Sequence, residues 1–118
     1  SSQNPLAEWA PTAVAAATKS DSYRKLALQE VKNRNFAAAV EPLRNAGAAL
    51  VVVPASPDRG VSSGLMRKIG MSFMTAALHL QNGDVDAAAE AIEQVNVGYE
   101  SLSEHLRGTG AERLGQLT

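Results

Sequence analysis

A chain of 118 residues is long enough for one domain with a sizeable core. Its 11 Lys and Arg against 12 Asp and Glu leave a formal net charge of −1, which excludes the basic footprint of a nucleic-acid-binding surface. There is no cysteine, so disulfides, thiolate metal ligands and a cysteine nucleophile are excluded, and no apolar run approaches a membrane-spanning length.

Alanine is abundant, aromatics are few, and strand-like alternation is nearly absent, which points to an all-α chain. Residues 1–10 (SSQNPLAEWA) read as an irregular N-terminal arm. Trp9, the one tryptophan, either pins that arm to the core or stands exposed as a partner anchor. Pro11 suits the first turn of a helix. Residues 12–33 follow as that helix, with Val14, Tyr23, Leu26, Ala27 and Val31 on a loose apolar face. The cap-like run Ser20-Asp21-Ser22 either breaks it into two pieces or is a blemish in one long helix.

Asn33-Arg34-Asn35 is a turn. Phe36, Ala39, Val40, Leu43, Ala46, Gly47 and Leu50 then trace a second amphipathic helix ending near Val53, kinked at Pro42. Residues 54–64 (PASPDRGVSSG) are the one long loop, read as a crossover. A third helix runs over residues 63–81, with Met66, Ile69, Phe73, Ala76, Ala77 and Leu80 inward. Gly70 in its middle implies close approach of a neighbouring helix.

The clearest element covers residues 82–108. Val85, Ala88, Ile92, Val95, Tyr99, Leu102 and Leu106 recur at alternating steps of three and four, the seam a helix needs against partner helices. Asp84 is its N-cap and Gly108 its stop. Ile92 lies at the centre of this seam, and a charge placed there is expected to abolish cooperative folding. Residues 109–118 read as a frayed C-terminal tail in which Leu114 and Leu117 are available to dock.

Residues 33–43 (NRNFAAAVEPL) align with 82–92 (NGDVDAAAEAI) at an offset of 49. Each half is therefore an αα-hairpin. Two hairpins closing on each other give an up-down-up-down four-helix bundle over residues 11–108. The two Ala-rich segments resemble the second helix of a tetratricopeptide repeat, whose period is about 34 residues and whose arrays need three or more units. The longer spacing and the two copies argue for a closed bundle over an open peptide-binding array.

The order of parts, and above all residues 76–95 (AALHLQNGDVDAAAEAIEQV), resembles cytochrome b562-type periplasmic bundles. That family holds haem between a Met near the start of helix one and a His near the end of helix four. The first helix here has no Met, and His105 is displaced from the matching position. The resemblance thus implies the bundle without the haem, and no cofactor is expected. In architecture the chain is also similar to PsbQ-like extrinsic subunits of photosystem II.

No catalytic constellation can be assembled. His79 and His105 lie at opposite ends of the last helical hairpin and cannot share a metal; each reads as a surface residue beside a carboxylate. Ser62-Ser63 has no Lys or His placed to activate it. Asp86, Glu90 and Glu93 form a solvated helix face. Arg59 in the long loop, with Arg67 and Lys68 at the start of the third helix, makes a small basic end suited to a protein partner.

From these features we expect a non-enzymatic accessory or interaction protein without a transmembrane segment, docking into a larger assembly through Arg59, Arg67, Lys68 and Trp9. A small-ligand carrier of the cytochrome b562 type, a PsbQ-like extrinsic subunit of photosystem II and a tetratricopeptide-like peptide-binding module are the alternatives. The first residue, Ser1, is not Met, so a leader was removed or the chain was trimmed. We expect an exported protein of a periplasm or organelle lumen.

Overall fold

A computed structural model describes residues 4–116. Four helices, α1 (Pro5–Lys32), α2 (Phe36–Val51), α3 (Val61–Gln81) and α4 (Val85–Leu106), form an up-down-up-down bundle, followed by a short 3₁₀ helix, Glu112–Gln116. The bundle measures 49 × 19 × 19 Å. Its long axis matches α1, whose 28 residues span about 42 Å at 1.5 Å each.

The internal repeat is built into the two hairpin turns. Asn33 and Asn82 are helix C-caps, Asn35 and Asp84 are N-caps, and Phe36 and Val85 open the second helix of each hairpin. The turns share one hydrogen-bond pattern: Asn35 N donates to Glu30 O, and Asp84 N to His79 O, 49 residues on. Between the caps the chain passes through the left-handed region, at Arg34 (φ 59°) in one turn and Gly83 (φ 80°) in the other. Only glycine takes that conformation without a Cβ penalty. Arg34→Gly is therefore expected to raise stability by about 0.5–1 kcal/mol, read as a shift in the urea midpoint.

The first helix is longer than the sequence suggested. The arm expected over residues 1–10 is helical from Pro5, with residues 1–3 outside the described residues. Asn4 Oδ1 accepts from Ala7 N at 3.2 Å and Pro5 stands first in the helix, so Pro11 is an interior residue, not the opening one. The run Ser20-Asp21-Ser22 does not interrupt α1, because each side chain is used elsewhere. The Ser20 hydroxyl, fully buried, donates to Ala46 O of α2 at 2.7 Å. Ser22 Oγ donates to Thr18 O, and Asp21 pairs with Arg24 and Lys25. α2 passes through Pro42 without a break. α3 begins two residues before the expected start, so the irregular stretch is 52–60 rather than 54–64.

α1 packs on α2, α2 on α3, and α3 on α4. The α2–α3 crossing is a backbone contact, as Gly70 implied. A Cβ built on Gly70 would lie 2.8 Å from Gly47 O, and one on Gly47 would lie 2.6 Å from Gly70 O. The fourth seam is different, for α1 and α4 make no extended contact of their own. At one end of that seam the C-terminal segment fills the gap. The 3₁₀ helix packs on both α4 and α1, with Leu114 fully buried and Ala111 nearly so. Gly115 rests on the backbone of Ser103, where a Cβ would meet Ser103 Cα at 2.6 Å. Asn4 Nδ2 donates to Thr109 O at 2.7 Å, joining the start of α1 to the tail. The tail is thus docked rather than frayed as far as Gln116; Leu117 lies outside the described residues.

Candidate functional site

Two places gather side chains with chemistry to offer. The first is the end of the bundle where the irregular stretch meets the C-terminus of α4. Asp58 does the capping that Gly60 cannot. Its carboxylate accepts from Ser62 N at 3.2 Å, from Ser62 Oγ at 2.6 Å and from Ser56 Oγ. His105 Nε2 lies 2.8 Å from Asp58 Oδ2, and a carboxylate can only accept, so the ring nitrogen is the donor. Ser56 and Ser63 bond reciprocally, each backbone N–H donating to the other's hydroxyl at 2.9 Å.

Serine, histidine and aspartate are the residue types of nucleophilic catalysis, but their order of contacts here does not perform it. The carboxylate stands between serine and histidine, so no hydroxyl donates to the imidazole. Ser56, Ser62 and Ser63 are buried. The cluster acts as a clamp from the α2–α3 connection to the last turn of α4.

Burial pushes the Asp58 carboxyl up, but hydrogen bonds from Ser56, Ser62 and His105 outweigh it and hold the group well below its ordinary value. A depressed carboxyl contributes stability that is present above the unfolded value of 3.8 and is lost as pH falls through the folded value. Its side chain is 18 % exposed, so solvent screens it little. Asp58→Asn is expected to cost about 2 kcal/mol at pH 7 and to flatten the fall in stability below about pH 4. Parallel acid titrations of the two proteins would reveal no difference if the clamp does not form.

The second place is the open end of the α1–α4 seam, opposite the tail. Here a cleft of about 200 Å³ opens between the helices. Leu28 and Val31 of α1 and Val85, Ala89 and Ile92 of α4 form its walls, and Leu43 of α2 and Leu80 of α3 its floor. Arg24 stands at its inner end, held by Asp21 through a 2.7 Å hydrogen bond. Just beyond, Tyr99 is nearly buried, and its hydroxyl is pushed up to about 12, first by burial and then by the Asp21 charge, with Arg24 opposing. Val85, at 39 % exposure, and half-buried Ile92 are the seam residues that α1 leaves uncovered. Ile92 is therefore a cleft wall and not the centre of the core, which corrects the sequence-based expectation. Val95, Tyr99, Leu102 and Leu106 are buried as the spacing required.

Of the four residues expected to meet a partner, Arg59, Arg67 and Lys68 are exposed and Trp9 is not. Trp9 is half-buried against the core, and its indole N–H donates to Pro54 O at 2.9 Å, fastening α1 to the α2–α3 connection. Arg59 projects from that connection with φ 61°, and Arg67 and Lys68 are exposed on the first turns of α3. Lys68 edges a crevice of about 80 Å³ between α3 and α4. All four belong to the tail end of the bundle, away from the cleft. The sequence offered no direct signal for the cleft, since its lining comes from four helices. Among the described residues no group of three His, Cys, Asp or Glu side chains could hold a metal, and no helix is long and apolar enough to cross a membrane.

Comparison with known proteins gave no match to a family model, a curated protein or a solved structure.

Proposed function

We propose that this chain is a non-enzymatic helical-bundle interaction protein, an accessory subunit that docks to a larger assembly through the open α1–α4 cleft. The observation that carries the reading is the uncovered continuation of the core at that cleft. Leu28, Val31, Val85 and Ile92 extend the buried stripes of α1 and α4 into water, on a seam whose other end the chain fills with its own Leu114. Apolar surface continuous with a core and left open is the usual mark of a binding groove. Arg59, Arg67 and Lys68 supply a separate electrostatic contact at the opposite end, which steers and orients more than it holds.

The test is co-purification from native extract with substituted chains. Ala89→Arg, at an exposed position on the cleft wall, should leave the bundle folded and abolish partner retention. The triple change of Arg59, Arg67 and Lys68 to Glu should weaken retention by about tenfold and make it less sensitive to salt. Retention that survives Ala89→Arg overturns the cleft reading.

A further inference from the structure

The shoulders of the cleft carry opposite charges. Helical spacing places Lys25 and Lys32, seven residues apart, on the flank of α1 beside Leu28. The same spacing places Asp86, Glu93 and Glu100 on the outer flank of α4 beyond Ala89, where Glu93 also edges the groove between α3 and α4. All five are exposed. Lys25 has a neighbour in Asp21 at 3.3 Å, and Glu93 accepts from Asn96 at 3.5 Å. Among the described residues, no salt bridge engages Lys32, Asp86 or Glu100. The apolar wall of α4 between them runs from Val85 to Ile92, about two helical turns.

Resting on the reading of the cleft as a protein-docking site, we infer that its occupant is one amphipathic helix of a partner, acidic along the edge that meets α1 and basic along the edge that meets α4. The apolar stripe of such a helix covers Leu28, Val31 and Ile92 with anchors at i, i+3 or i+4, and i+7, as helices seat in grooves elsewhere. The tail shows that this seam accepts a helical segment, for the 3₁₀ helix with Leu114 already fills its far end. The charge pattern sets direction. A helix lying in the cleft presents its acidic edge to the lysines in one orientation only, and reversal brings like charges together on both sides.

The probes are synthetic amidated helices of about 14 residues, close to 20 Å long, sharing one Leu stripe. One has a Glu edge and a Lys edge, one has two Glu edges, and one has two Lys edges. Fluorescence anisotropy at low salt should show the mixed-edge peptide binding about tenfold tighter than either uniform one. In the Lys25→Glu, Lys32→Glu chain both shoulders are acidic, and the two-Lys peptide should become the tightest. Ala89→Arg, at an exposed position that leaves the core untouched, should block all three.

Equal binding of the three peptides, blocked by Ala89→Arg, overturns the charged-edge inference and leaves the cleft reading standing. Binding that ignores Ala89→Arg, or no binding to a chain that melts normally, overturns both. A sedimentation equilibrium that shows a dimer abolished by Ala89→Arg assigns the cleft to a second copy and also overturns the inference.

Discussion

Gly70→Ala should lower the melting temperature by more than 10 °C. The new Cβ would lie 2.8 Å from Gly47 O, 2.9 Å from Val51 Cγ1 and 3.2 Å from Leu50 Cβ. The first of these is backbone and cannot swing aside, so α2 and α3 must separate. Overpacking of this kind costs about 3 kcal/mol, a large share of a total of about 5–15 kcal/mol. For a chain of this size each kcal/mol moves the midpoint by about 4 °C. Gly64→Ala is the useful control: it lies in the same helix, and a Cβ there would meet nothing within 4 Å. A circular-dichroism melt of Gly70→Ala that matches the parent would show that the helices do not cross at this pair.

Leu114→Ala tests the other unusual interface. The side chain is fully buried between α1 and α4, although it belongs to a five-residue 3₁₀ helix near the chain end. Truncating a buried leucine costs about 3 kcal/mol through lost burial and the cavity left behind. The fold should survive with a lowered midpoint, and an apolar dye should bind more strongly as the seam opens. Unchanged stability would restore the frayed tail that the sequence suggested.

Much of the bundle was legible because helix–helix contact imposes a period on each stretch of sequence. The stripe from Ala88 to Leu106 and the inward face of α3 are, Ile92 apart, where spacing put them. Gly70 could be read because a glycine inside a good helix needs a reason. Pro11 suits a first turn, and on that signal alone the start of α1 reads six residues too late. Asn4-Pro5 carries the cap and first-turn signal, and Pro11 is tolerated inside the helix. At Ser20-Asp21-Ser22 local propensity lost to tertiary contact, since a buried hydroxyl had a carbonyl on α2 to bond.

The site was less legible. Periodicity marks which face of a helix is apolar, not whether a neighbour is close enough to cover it. Ile92 therefore read as core and stands as a cleft wall. His105 and Asp58 are 47 residues apart, and no local pattern links them. The trace available was Ser56-x-Asp58 ahead of Ser62-Ser63, a capping pattern that read as a turn.

The hydrogen bond between Asn4 and Thr109 closes a ring of 105 residues. The other main interfaces of the bundle join helices that are consecutive in the chain. Consecutive contacts form early because little entropy is spent on bringing them together, whereas a ring this long closes only once the rest is in place. The tail is then the last part to lock and the first to release. Amide exchange should be slowest where α2 crosses α3 and fastest around the 3₁₀ helix and the first turns of α1. Breathing of the native molecule has a direction, with its two ends parting like the covers of a book hinged on the Gly47–Gly70 crossing.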